Sequence, residues 1–294
     1  MKAIKTVSLL ALLSAIFLVA GFLVAGVTGL IVAFVVALGM NFFSYWSSDK
    51  LVLRITGARE VTPDQEPHLH RIVDEVSAMA GMPKPKVYIM QNDAPNAFAT
   101  GRNAKHAAVA ATTGIMRILD DRELTAVLGH ELAHIRNRDI LVSAIAVTIG
   151  AAIGFLPWLI FFFGFGRSRG GGIIGIVALL ATLILAPMAA GMIRMALSRT
   201  REYGADETGA QITRTPLALA SALEKLETHS QARPMNVNPA VSHLFIVNPL
   251  KRTQKREGGD MMMGLFGNAF STHPPVKKRV ERLNEIARKM GSYS

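Results

Sequence analysis

The sequence predicts a mainly α integral membrane protein that carries a small α+β domain. Three observations lead there. Two long apolar blocks are almost free of charge, a His-x-x-x-His pattern lies between them on an amphipathic stretch, and short β-type runs precede that pattern. Half of the 294 residues are hydrophobic and the mean hydropathy is +0.32, too apolar for an ordinary soluble domain.

The first block, about 6–46, is too long for one span and fits two helices of about 20 residues, turning near Gly26-Val27-Thr28-Gly29. Tyr45 and Trp46 stand where an interfacial aromatic belt is expected. A basic start at Met1–Lys5 would suit a cleavable signal, but the uninterrupted second apolar stretch favours a retained hairpin. The second block, about 140–197, is split by the glycine-rich turn around 164–172. Each half is long enough to span, and Pro157 and Pro187 are tolerable where neighbouring helices satisfy the freed carbonyls. A buried hairpin of a soluble core is the alternative, and more than 20 apolar residues on each side weigh against it. Four transmembrane helices in two hairpins thus divide the chain into a hairpin at 1–48, a polar half at 49–139, a hairpin at 140–197 and a second polar half at 198–294.

In the first polar half, Leu69, Ile72, Val73, Val76 and Met79 recur at helical spacing, giving a helix with Pro63 near its start and Gly81 after its end. Lys86–Met90 and His106–Thr112 read as strands, and Asn92–Gly101 as a turn running into an edge strand, so a small sheet precedes the motif helix. In the second half, Thr215-Pro216 opens a helix to about Thr228, and Ser242–Val247 reads as a strand. Residues 251–270 form a basic, then glycine- and methionine-rich loop, and Val276–Met290 a basic amphipathic helix. His68, His70, His106 and His229 are expected at the surface, and His243 packed in its strand.

The chemistry centres on His130-Glu131-Leu132-Ala133-His134. Asp120, Asp121 and Glu123 place negative charge at the first turn of a helix, and Leu124, Val127, Leu128, Leu132 and Ile135 give it an apolar face. Histidines four apart stack on one side, about 6 Å apart along the axis, so both imidazoles reach one Zn²⁺. Glu131, about a quarter-turn round, can serve as base toward the attacking water. The alternative is an amphipathic helix with two solvated histidines.

A catalytic zinc needs a third protein ligand, for which Glu202 is the candidate. Asp206, one turn on, is placed to hold a ligand histidine's other ring nitrogen. Alone, this pair would be an ordinary charged face; beside His130 and His134 it completes a one-zinc His₂Glu set. His273, fixed in a His-Pro-Pro turn, is a candidate to stabilise a tetrahedral oxyanion. An edge strand can accept a substrate peptide as an added strand, and Asn96 either offers its amide there or is a turn residue after Pro95.

Topology follows from that chemistry. His130, His134 and Glu202 share an ion only on one side of the bilayer, so the block between them crosses an even number of times. Lys2, Lys5, Lys50, Arg54, Arg199 and Arg201 then share that side, while only Arg167 and Arg169 lie in the short opposite loop. The positive-inside rule puts the bulk and both termini in the cytosol. A net charge of +11 suits a surface against anionic lipid. Nucleic acid is disfavoured as a partner because no base-stacking aromatic cluster accompanies the basic residues. The absence of cysteine removes disulfides and thiolate metal sites.

Together these residues resemble the HtpX group of membrane metallopeptidases, gluzincins related to the CAAX prenyl endoproteases. The resemblance is carried by two leading apolar segments, Asn96-Ala97-Phe98-Ala99, His130–His134 with Asn137 and Asp139 behind it, the intervening apolar hairpin, Glu202-Tyr203-Gly204-Ala205-Asp206 and His273-Pro274. It implies a zincin-like catalytic domain in the bacterial inner (plasma) membrane. The implied activity is that of a zinc endopeptidase acting on misfolded or damaged membrane proteins, with Asn96 and Ala97 contacting substrate. The chain is too short for the larger bundle of the prenyl proteases, which argues against CAAX processing. The rival is a membrane scaffold or holdase with a structural metal; structural sites usually have four protein ligands and no adjacent base, so Glu131 argues against it. An intramembrane protease is disfavoured by the charges flanking the motif, and a transporter by spans without buried charge.

Overall fold

The computed structural model describes residues 52–139, 199–232, 245–246 and 274–291, together with 26–28, 31–32, 34–35, 38–39, 46 and 50. His243, His273, the 251–270 loop and nearly all of both apolar blocks, hence the expected hairpins, lie outside the described residues. The chain forms two compact units, one from Met1–Ser47 with Leu141–Leu197 and one from Ser48–Ile140 with Ser198–Ser294. In the first unit, the described residues between 26 and 39 are helical and expose Val27, Ile31, Val32, Phe34, Val35 and Leu38. At the expected turn, Gly26 has φ 58 and residues 26–28 are helical. Among the described residues, no helix is long and apolar enough to cross a membrane.

The second unit contains β1 (Arg59–Glu60), α1 (Pro67–Ala80), β2 (Lys86–Met90), β3 (Ala97–Gly101), β4 (Ala107–Thr112), α2 (Thr113–Ile118), α3 (Asp121–Asn137), α4 (199–213), α5 (Pro216–Ala232) and α6 (Val276–Met290). The four strands lie in the order β1-β2-β4-β3. β2 and β4 are parallel, and the two outer pairs are antiparallel. β3 is therefore an edge. β1, only two residues long, has no periodicity by which sequence could show it.

Side chains alternate between the two sheet faces, as the pleat requires. Val87, Ala97, Ala99, Val109 and Ala111 join the main core with α1 and α3, while Met90, Phe98 and Ala110 meet Phe245 opposite. The Phe98 and Phe245 rings meet edge-to-face at 5.3 Å, a favoured aromatic geometry. Alanines on β3 and β4 leave little bulk between strand and helix, so α3 packs directly on β3.

Three local expectations are corrected. α1 starts at Pro67, not near Pro63, because Thr62–Gln65 closes a turn in which the Thr62 N–H donates to Gln65 Oε1 at 2.9 Å. Pro67 then takes the first helical position, where no N–H is needed. His70 is buried, its Nε2 2.9 Å from the Val61 carbonyl; a position on the core side of α1 outweighs the polarity of the ring. Phe245 and Ile246 form a bend rather than a strand, although the Ile246 N–H reaches the Ala97 carbonyl at 3.1 Å.

Candidate metal centre

α3 is fixed at both ends. Asp120 caps it, its side chain accepting from the Glu123 N–H at 2.8 Å while Glu123 reaches back to the Asp120 N–H at 3.1 Å. The same Glu123 carboxylate accepts from Ser221 Oγ and Lys225 Nζ, both at 2.7 Å, tying α3 to α5. At the other end Arg138, with φ 60, turns the chain back so that Asp139 Oδ2 lies 3.0 Å from His134 Nδ1.

α4 crosses α3 at glycine. A Cβ on Gly209 would lie 2.9 Å from the Cα and N of His130, and one on Gly129 would lie 2.4 Å from Thr213 Cγ2. Glu202, Asp206, Gly209 and Thr213 follow at helical spacing, so the close approach carries both carboxylates to the histidines. Asn137 Nδ2 donates to Thr208 Oγ1 at 3.2 Å, a second tie between the helices.

The result is a compact donor set. His130 Nε2 and His134 Nε2 are 3.2 Å apart. Glu202 Oε2 lies 3.6 Å from the first and Oε1 3.5 Å from the second. One ligand atom from each residue falls within 4.8 Å of the others. Ligands about 2.0–2.1 Å from a tetrahedral ion stand about 3.3 Å from one another, so the observed separations are those of three corners of such a site. Both rings turn their Nδ1 atoms away: His130 Nδ1 lies 3.0 Å from Asp206 Oδ1, and His134 Nδ1 pairs with Asp139. That pairing places the proton on Nδ1 and leaves the Nε2 lone pairs aimed at a common point. The donor set suits a divalent cation.

The electrostatics agree. Burial alone would lower the pKa of His130, but Asp206 and Glu202 outweigh it and push it up to about 9. A field that favours positive charge at Nε2 favours a cation there. Burial is also the main reason that the Glu131 carboxyl lies above its usual range, opposed by His130, His134 and a hydrogen bond from the Ala99 backbone. A carboxylate raised in this way is a better proton acceptor than one in water. Against burial, Arg279 and His130 hold Asp206 below the usual carboxylate range.

The structure therefore brings His130, Glu131, His134, Glu202 and Asp206 together. Asn96 and Ala97 sit at the start of β3 and are buried. The Asn96 N–H donates to Thr112 Oγ1 at 2.9 Å, and its Oδ1 accepts from the Ala97 N–H at 3.1 Å. The Ala97 carbonyl is taken by Ile246. His273 lies outside the described residues.

Sequence reasoning missed the roles of two residues. Asp139, just beyond the helix, pairs with His134 only because Arg138 adopts the left-handed conformation. Arg279 lies against Asp206 and His130. Its signal was present in the sequence: in α6 it shares the buried stripe with Val276, Leu283 and Ala287, a position where a basic residue is out of place.

A model of peptidase family M48 matches residues 63–287, which takes in α1, strands β2 to β4, the donor set and nearly all of α6. This chain belongs to peptidase family M48. Membership makes it a metalloprotease, a hydrolase of peptide bonds. Among M48 relatives, the "Protease HtpX homolog" of Persephonella marina is 50% identical over 99% of this chain and all of its own length. The protein of that name from Aquifex aeolicus is 50% identical over 92% of this chain and 88% of its own. Among solved structures, Ste24p of S. mikatae superposes with a TM-score of 0.56 at 19% identity. It covers 94% of this chain, which spans 62% of the Ste24p chain, and the likeness extends to the fold.

Proposed function

We propose that the protein is a membrane-bound zinc endopeptidase that cleaves misfolded or damaged membrane proteins at the cytosolic face. One observation carries the reading: two imidazole Nε2 atoms and a carboxylate at tetrahedral separations, with a buried glutamate following the first histidine. Three protein ligands and an adjacent base are the composition of a catalytic site rather than a structural one. Two imidazoles and one carboxylate are a protein donor set of catalytic zinc sites. The two long apolar blocks, each divisible into two stretches of spanning length, support attachment to the bilayer. The excess of basic residues outside them supports a cytosolic catalytic side.

In this mechanism His130, His134 and Glu202 hold the ion, and Asp206 and Asp139 hold the two rings through Nδ1. Bound by these three side chains, Zn²⁺ would supply Lewis acidity and a water of lowered pKa. Glu131 accepts a proton from the attacking water and passes it to the leaving amine. Its carboxyl is oriented by the Ala99 N–H, so the base is set by the same strand that forms the sheet edge. His273 steadies the oxyanion, and Asn96 with Ala97 contributes to substrate binding at that edge. Substrates arriving from the bilayer meet the site near the membrane surface, because α3 ends just before the second apolar block.

The test is metal analysis of the detergent-purified protein beside proteolysis of an unfolded polypeptide, with Glu131 intact and with Glu131→Gln. The expected result is one zinc per chain in both and cleavage only by the first. A variant that cleaves at the wild-type rate refutes the mechanism. Activity that is indifferent to complete metal removal would leave a structural ion in a scaffold as the better reading.

A further inference from the structure

Arg279 is among the largest fully buried side chains of the second unit, only 1% exposed. Burying a guanidinium is unfavourable unless it is fully paired, and an apolar residue would fit the stripe between Val276 and Leu283 without that cost. Its pairing is complete. Nε donates to Asp206 Oδ2 at 2.9 Å and Nη2 to Asp206 Oδ1 at 2.7 Å, the two-pronged geometry of arginine on carboxylate. Nη1 donates to the Ile246 carbonyl at 3.1 Å and stands 3.6 Å from Glu202 Oε2. Nη2 also lies 3.5 and 3.4 Å from Nδ1 and Nε2 of His130. An in-plane approach at such equal distances would collide with the ring carbon between the two nitrogens, so the guanidinium lies over the ring face.

We infer that Arg279 is a positioning residue of the metal site: its fork fixes the Asp206 carboxylate, and Asp206 in turn fixes the rotation of the His130 ring. The inference rests on the metal reading above. A lone aspartate swings about its side-chain torsions and carries an imidazole with it; one held at both oxygens does not. Asp206 Oδ1 accepts from Arg279 and faces His130 Nδ1, so the direction of the His130 Nε2 lone pair depends on the fork. The pairing also occupies Asp206 with a fixed cation, which keeps it from competing with Glu202 as a ligand. The third donor extends the same assembly to Ile246, whose N–H bonds the edge strand at Ala97, so the ion and the strand edge share one anchor.

The experiment uses the full chain in detergent, with Arg279→Lys and Arg279→Met. Zn²⁺ affinity is measured by chelator competition, kcat and KM on an unfolded polypeptide at saturating zinc, and thermal unfolding in parallel. Lysine keeps a buried cation beside Asp206 but cannot grip both oxygens. Metal-free R279K should therefore unfold near the temperature of metal-free wild type, while R279K binds Zn²⁺ about 10–100-fold more weakly and loses kcat with KM unchanged. R279M should show the same losses with lower stability as well; if it does not fold, R279K decides. Wild-type affinity and kcat in R279K would mean that the arginine serves packing alone, and would overturn the inference. Wild-type protein that binds no Zn²⁺ would instead remove the metal reading on which the inference stands.

Discussion

Gly209 of α4 sits against the backbone of His130 in α3 so closely that a Cβ there would come within 2.9 Å of the His130 N and Cα. Backbone atoms inside a helix cannot yield as a side-chain tip does. The contact therefore sets how near α4, with Glu202 and Asp206, comes to the histidine pair.

Gly209→Ala should push the helices apart. We expect a loss of about 1–3 kcal/mol in stability, the usual cost of overpacking a dense contact. A larger proportional loss of metal affinity should accompany it, because ligand separations near 3.5 Å leave little slack. Chemical denaturation and zinc titration of the same preparations check both. An alanine variant with wild-type zinc affinity would show that the crossing does not set the ligand distance.

Asp139→Ala removes the partner of His134 Nδ1 while keeping the backbone carbonyl that accepts from Arg201 Nη1 at 3.3 Å. Metal affinity should fall about 10–100-fold, the cost of freeing a ligand ring. The metal-free protein should unfold at a somewhat lower temperature than metal-free wild type, because Asp139 is also an opposite charge beside the half-buried Arg201. Chelator competition reads the first quantity and a thermal scan the second.

Glu123→Ala should destabilise the second unit without touching the chemistry. The carboxylate caps α3 and accepts from Ser221 and Lys225, so removing it costs about 2–3 kcal/mol. The value stays below that of a fully buried pair because the Lys225 side chain is 42% exposed and can turn to water. Glu123→Gln keeps the capping geometry and should cost only about 1 kcal/mol. Denaturant midpoints of the two variants test this order, and the zinc affinity of the folded protein should match wild type in each.

Metal removal should separate stability from catalysis. An ion present at about 1,000 times its dissociation constant stabilises the folded state by about 4 kcal/mol. A strong chelator should therefore lower the unfolding temperature of the wild type and of Glu131→Gln by the same amount, and added Zn²⁺ should restore both. Activity should return only in the wild type, with Glu131→Gln slower by about 10²–10⁴-fold, the contribution of a positioned base. Unequal stabilisation would show that Glu131 helps to hold the ion.

What the sequence determined by itself is local and periodic. His130 and His134 on one helical face, the acidic first turn of α3, Gly81 after α1, the strand Lys86–Met90, a strand ending at Thr112, and the bounds of α6 at Val276–Met290 all follow from spacings of two or about 3.6 residues and from end signals. Glu202 and Asp206 were legible as a pair because the chemistry of two imidazoles demands a partner. The tertiary structure alone decided which aspartate serves which histidine, because Asp139 and Asp206 differ only in where the chain returns. It alone revealed that Ile246 takes the Ala97 carbonyl and that Arg279 stands over His130, contacts between segments far apart in sequence. Periodicity marks which face of an element is buried. It carries no information about which distant face comes to cover it; here that is set by glycines small enough to let two helices touch.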